Sequence, residues 1–149
     1  MQEAIIKAFI EAKFPNLTQN GYIITSPQNP RYNCIAWAAA DNGSWWEPVI
    51  SPGVYWPSGV SMSPTLAAYT EVYALQGYQP CTDQDLEQGF EKIAIFAKDA
   101  VPTHAARQLE TGAWTSKLGQ SFDIQHNSLS GVEGDEYGDV AQIMRRPRT

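Results

Sequence analysis

The chain is short of cysteine, of charge and of long apolar runs, and each shortage excludes something. Two cysteines in 149 residues, Cys34 and Cys81, are too few for a disulfide framework. Both are therefore expected as free thiols in a reducing compartment, with a cytoplasmic location. No apolar run approaches the ~20 residues of a membrane span. The opening Met1-Gln2-Glu3-Ala4-Ile5-Ile6-Lys7 carries an acidic residue and no signal-peptide pattern, so no membrane partner is expected. Basic residues are also few: 10 Lys and Arg stand against 16 Asp and Glu, a net charge of −6. A binder of polyanions needs clustered Lys and Arg to release counterions. The one dense cluster, Arg145, Arg146 and Arg148, reads as a solvated end, and no nucleic-acid partner is expected.

What is present points to a packed core. Hydrophobic residues make up 43% and charged residues 17%, with five Trp, seven Tyr and five Phe, which argues against disorder. A chain of this length buries roughly 70% of its unfolded surface and needs neither disulfide nor structural metal. One domain over residues 1–149 is expected.

Residues 2–13 read as an amphipathic helix, with Ile5, Ile6, Phe9 and Ile10 at helical spacing and Pro15 as the stop. Residues 16–31, with Pro27 and Pro30, read as irregular apart from a short strand at Tyr22–Thr25. Cys34–Ala40 reads as a short apolar helix stopped by Asp41-Asn42-Gly43-Ser44. A Trp-, Pro- and Gly-rich loop follows over 45–62. Ser63-Pro64 then opens a helix running to about Gln76, with Gly77 as its C-terminal stop. Residues 78–91 read as a polar connection, with Cys81 as packing. Ile93–Ala97, Thr103–Leu109, Gly112–Leu118 and Val140–Arg145 read as strands, the middle two forming a hairpin about Glu110-Thr111. Helices first and an antiparallel sheet after them make an α+β layout.

Cys34 carries the first chemical signal. A helix N-terminus offers unpaired N–H groups and partial positive charge, which favour a thiolate and can receive an oxyanion. The alternative is a small core residue. His104, at the start of a strand later in the chain, can act as general base and then general acid to such a thiol. Side chains alternate along a strand, so His104, Ala106 and Gln108 share a face, and a tight turn brings Ser116 roughly opposite His104. Lys117 then points to the other face.

On these residues the chain resembles known hydrolases. Thr103-His104-Ala-Ala-Arg-Gln-Leu-Glu-Thr-Gly112-Ala-Trp114-Thr-Ser116 resembles the histidine hairpin of NlpC-type papain-like cysteine hydrolases. Tyr32-Asn33-Cys34 resembles the helix start of those enzymes and of CHAP-type amidases. The resemblance implies a papain-like fold, with N-terminal helices packed on an antiparallel sheet. It also implies Cys34 as nucleophile, His104 as base and Ser116 as the residue orienting the histidine. Serine is a departure, since that position is usually His, Asn or Gln, and the peptidoglycan families are exported. The set Tyr32-Asn-Cys-Ile-Ala-Trp-Ala38, His104-Ala-Ala-Arg-Gln-Leu109, Trp114-Thr-Ser-Lys-Leu-Gly119 and Asp123-Ile-Gln-His126 resembles an uncharacterised bacterial domain family. That likeness covers most of residues 32–147 and implies no substrate.

Asp123 is the competing orienter of His104, because a carboxylate stabilises an imidazolium better than a hydroxyl does; its bland role is a turn or cap. His126 reads as a substrate contact or an ordinary loop residue. Cys34, His104, Asp123 and His126 are all zinc-compatible, but no pair has tight ligand spacing, so neither metal nor cofactor is expected. Trp45, Trp46 and Trp56 follow the Cys34 helix closely. They either wall a cleft or form a small core that orders the loop. Trp45 and Trp46, with Tyr32 and Arg107, are the expected substrate contacts; at least one of the two tryptophans is expected within ~8 Å of Cys34. The leading expectation is a cysteine hydrolase or acyl-transfer enzyme (a peptidase, amidase or deamidase) acting on an amide or thioester-like bond of a protein or peptide-like substrate. The alternative is a non-catalytic protein-binding module that uses the Trp-rich loop.

Overall fold

The computed structural model describes residues 2–26, 31–118 and 122–148. Pro27, Pro30 and Gly119 of the sequence reading lie outside them. Helix α1 spans Gln2–Lys13 and a single turn, α2, spans Leu17–Asn20. Strand β1 (Tyr22–Ser26) precedes the short helix α3 (Cys34–Ala38). Two-residue strands β2 (Trp45–Trp46) and β3 (Val54–Tyr55) pair in parallel within the Trp-rich loop. Helix α4 covers Leu66–Ala74, capped by the Thr65 hydroxyl rather than by Ser63. There follow β4 (Gln79–Cys81), β5 (Phe90–Lys98), β6 (Val101–Gln108), β7 (Trp114–Lys117), β8 (Asp123–His126), a 3-10 turn at Leu129–Val132 and β9 (Asp139–Pro147).

The main sheet has seven strands in the order β1-β8-β7-β6-β5-β9-β4, and every described pairing in it is antiparallel. This corrects the papain-like expectation. The molecule is mostly one antiparallel sheet carrying few, short helices, and helices do not lead the chain as a block. Three strands account for the difference. The first pairs with β8, about a hundred residues away, so its partner is invisible to local periodicity. The eighth is four residues of mixed polarity. The fourth lies in what reads as a polar connection, and its Pro80 is tolerated because β4 is an edge strand.

Alternation along β5 and β6 sorts the core into two layers. Ile93, Ile95, Ala105 and Met144 meet Cys34, Ile35, Ala36 and Ala38 of α3 and Ala68, Tyr69, Val72 and Tyr73 of α4. Ala94, Phe96, Ala106, Trp114, Ile124 and Ile143 meet Ile10, Phe14, Leu17, Leu129 and Val132 on the opposite face. Of the apolar stripe read on α1, only Ile10 and half of Ile6 turn inward, while Ile5 and Phe9 stay exposed. No described helix is long and apolar enough to cross a membrane.

Candidate functional site

Two local features place Cys34. Asn33 is the N-cap of α3: its side-chain oxygen accepts from Ala36 N–H at 3.1 Å and from Trp46 N–H at 3.2 Å, and its amide donates to the Trp46 carbonyl at 2.6 Å. One side chain thus caps the helix and ties it to the Trp-rich loop. The second feature is a parting of strands. Strands β6 and β7 pair through Arg107–Thr115 and Gln108–Trp114, and α3 packs against both. The Cys34 thiol takes its place along β6 beyond those two pairs, with Sγ donating to the Thr103 carbonyl at 4.0 Å. The backbone N–H groups of Ala105, Ile35 and Cys34 itself also face the sulfur. Thr103 and Ala105 flank His104, so the thiol sits directly alongside the histidine's own backbone.

Those N–H groups and the Lys117 charge pull the thiol's pKa down, but burial outweighs them and pushes it up to about 11. The thiol is therefore protonated at neutral pH, contrary to the activated thiolate expected from a helix N-terminus. A five-residue helix buried among apolar side chains loses more to desolvation than its few N–H groups return.

The His104 ring lies on the opposite layer. It is fully buried, stacked on Tyr137 with ring centroids 4.0 Å apart and planes 4° apart, and tilted against Phe96 at 5.2 Å. Its Nε2 is hydrogen-bonded to Ser116 Oγ at 2.9 Å. Ser116 Oγ is bonded in turn to His126 Nε2 at 2.7 Å, and His126 Nδ1 to the Ser128 carbonyl at 2.8 Å. The nominal cross-strand partner of Ser116 is Ala106, so the bond to His104 is a diagonal one on the shared face. His104 Nδ1 is buried with no hydrogen-bond partner among the described residues, and no hydrogen bond joins it to Cys34. Burial holds the His104 pKa well below the usual imidazole value, with the His126 ring adding to the effect. His126 is brought down to about 4 by burial, opposed by its bond to Ser128.

Asp123 does not reach His104. It projects from the Cys34 side of the sheet, where Tyr32 Oη donates to its Oδ2 at 2.6 Å and Lys117 Nζ lies 3.9 Å from Oδ1. Burial, aided by that bond to the carboxylate, pushes Tyr32 up to about 12. Burial lowers Lys117, with Asp123 opposing. A column of rings and cations continues from there. Lys117 Nζ sits 4.7 Å from the Tyr32 ring, Tyr32 stacks on Trp37 at 5.3 Å, and the Arg107 guanidinium lies 5.5 Å from the Trp37 ring. Arg107 is thus engaged by Trp37.

The tryptophans turn inward. Trp46 is buried in the Cys34 cluster against Tyr73 and Tyr55, and its indole donates to Asp41. Trp45 is half-buried and donates to Glu47; Trp56 is buried and donates to the Ser61 carbonyl. They order the loop as a small core rather than lining a cleft.

From the sequence His126 reads as a substrate contact or loop residue, whereas it lies on β8 bonded to Ser116, and Tyr137 carries no sequence signal. Had Asp123–His126 been read as a strand, alternation would have put His126 and Ile124 on the face of Ser116.

Comparisons with known proteins add little chemistry. The profile of a family described as a domain of unknown function (DUF7689) matches residues 23–145. No curated protein and no solved structure matches the chain. None of these findings supports the NlpC- and CHAP-type resemblance.

Proposed function

The chain belongs to the DUF7689 family, and we propose that it is a cysteine hydrolase or acyl-transfer enzyme built on its seven-stranded antiparallel sheet. Cys34 is the nucleophile, His104 the general base, and Ser116 the residue that holds the imidazole. The observation that carries this reading is the position of the thiol. It is seated against the backbone groups of Thr103 and Ala105, the two neighbours of a histidine whose buried Nδ1 has no hydrogen-bond partner among the described residues.

Both groups are neutral at rest, so the chemistry is general-base catalysis on a thiol rather than attack by a preformed thiolate. The thiol and the imidazole lie on opposite layers of the sheet, so the proposal requires the S–H to turn from the Thr103 carbonyl toward His104 Nδ1 through the parting between β6 and β7. The sulfur bonds to the acyl carbon as its proton passes to Nδ1. The leaving amine or thiol takes that proton as its bond to carbon breaks. Water, deprotonated by the same nitrogen, then attacks the thioester, and the thiol recovers its proton. The Cys34 and Ile35 N–H groups that face the sulfur are the donors for the developing oxyanion.

The protein-binding alternative has less support, because the indoles it relies on are bonded within the loop itself. A small activated ester tests the proposal without knowledge of the substrate. p-Nitrophenyl acetate should leave an acetyl group on Cys34, located by peptide mass mapping, and Cys34→Ser should abolish the thioester. Acetylation of Cys81 with Cys34 unmodified would contradict the proposal.

A further inference from the structure

The chain His104–Ser116–His126–Ser128 has a direction, and the direction decides which nitrogen of His104 can act as a base. This inference rests on the hydrolase reading above.

The far end of the chain sets the direction. A backbone carbonyl has no hydrogen to give, so His126 Nδ1 must donate to Ser128 O at 2.8 Å. In a neutral imidazole the other nitrogen then carries the lone pair, and His126 Nε2 is an acceptor. Its partner at 2.7 Å is Ser116 Oγ, which must donate its only hydrogen. The Ser116 oxygen can now only accept from His104 Nε2 at 2.9 Å, so that nitrogen bears the proton. The lone pair of His104 is left on Nδ1, the buried nitrogen without a hydrogen-bond partner among the described residues. Every link follows from the valence of one carbonyl, and burial keeps both rings in the neutral state the argument needs.

We infer that His126 is a positioning residue for His104: through Ser116 it fixes the Nε2–H tautomer and so reserves Nδ1 as the proton acceptor for Cys34. Without His126 the serine hydroxyl is released and can donate to His104 Nε2. That would move the proton to Nδ1 and block the base. A purely structural histidine would fill space and leave the tautomer unchanged. Tyr137 and Phe96 fix the plane of the ring, while the hydrogen-bond chain fixes its protonation, so the two functions are separable.

Nitrogen-15 NMR of histidine-labelled protein tests this directly. The wild-type protein should show His104 protonated at Nε2 and unprotonated at Nδ1, with His126 the reverse. A proton on His104 Nδ1 would overturn the inference. In His126→Phe, which keeps a buried ring, His104 should lose its fixed Nε2–H state. Acetylation of Cys34 by p-nitrophenyl acetate should fall by about two orders of magnitude or more, as expected for a base in the wrong tautomer. An unchanged His104 tautomer in a folded His126→Phe protein would overturn the inference too. Ser116→Ala cuts the chain at its centre and should abolish the same tautomer preference, so the test survives if His126→Phe does not fold. The tautomer readout needs no activity. Wild-type protein with the expected tautomers and no acetylation of Cys34 would therefore contradict the hydrolase reading alone and leave the hydrogen-bond direction supported.

Discussion

At the scale of single residues, Cys34 and Cys81 make a contrast that reverses the ordinary expectation for a nucleophile. Cys34 is buried and its pKa is pushed up to about 11; Cys81 is partly exposed and raised as well. Iodoacetamide reacts with thiolate that it can reach. It should therefore modify Cys81 faster than Cys34 in native protein at neutral pH, and labelling of Cys34 should climb until about pH 11. Fast labelling of Cys34 at neutral pH would show that the thiol is already activated, against a general-base mechanism. Ser116 and Asp123 make the second contrast. Ser116→Ala leaves two buried imidazole nitrogens without their partner, at a cost of roughly 1–3 kcal/mol. It should also slow acylation of Cys34. Asp123→Ala disturbs Tyr32 and Lys117 and should leave the His104 tautomer as it is. That Ser116 and His104 share a face was legible in the sequence, because a hairpin and an alternation of two suffice to derive it; the register was not, since Ser116 lies diagonal to His104 rather than opposite it. The location of Asp123 was not, because it depends on which strand pairs with β7.

At the scale of elements, two residues hold the pieces in register. Asn33 joins α3 to the Trp-rich loop through three hydrogen bonds. Asn33→Ala removes the cap and leaves the buried Trp46 backbone groups unmatched, for a loss of about 2–4 kcal/mol. Urea unfolding would measure it. Asn33→Asp keeps the cap acceptor but sets a carboxylate against the Trp46 carbonyl, so it should recover only part of that loss. The other residue is Gly138, at φ 74° beside Tyr137. A Cβ there would lie 2.1 Å from the Ala97 carbonyl oxygen. Gly138→Ala should therefore cost at least about 2 kcal/mol and loosen the Tyr137–His104 stack. Element types were largely readable: α1, α3 and the β6–β7 hairpin fall close to where periodicity puts them. Their assembly was not readable. β1 and β8 are edge-side strands whose pairing spans most of the chain, and the resemblance to papain-like enzymes supplied an architecture in place of that missing pairing.

At the scale of the whole molecule, the sheet separates two polar systems. One layer holds Cys34 with Tyr32, Lys117 and Asp123; the other holds His104, Ser116 and His126. Both systems make folding depend on pH. The His126 pKa falls from 6.5 to about 4 on folding, so its contribution is present above pH 6.5 and is lost as pH drops through about 4. At about 1.4 kcal/mol per unit this is roughly 3 kcal/mol. His104 acts in the same direction. Cys34 acts at the other end: its raised pKa contributes below the ordinary thiol value and is lost as pH rises through about 11. Stability should thus peak between about pH 6.5 and 9, and the acid limb should be shallower in His126→Phe. An acid limb of unchanged slope would mean that His126 is not buried neutral.

In the proposed mechanism His104 takes the proton of Cys34 when an acyl group arrives. Single-turnover acetylation by p-nitrophenyl acetate, followed at the Cys34 peptide in wild type and His104→Gln, tests it most directly. Glutamine can keep a hydrogen bond to Ser116 but cannot accept the thiol proton, and circular dichroism confirms that the variant is folded. The rate should be lower by ~10²–10⁴-fold in the variant. Equal rates in the two proteins would contradict the mechanism.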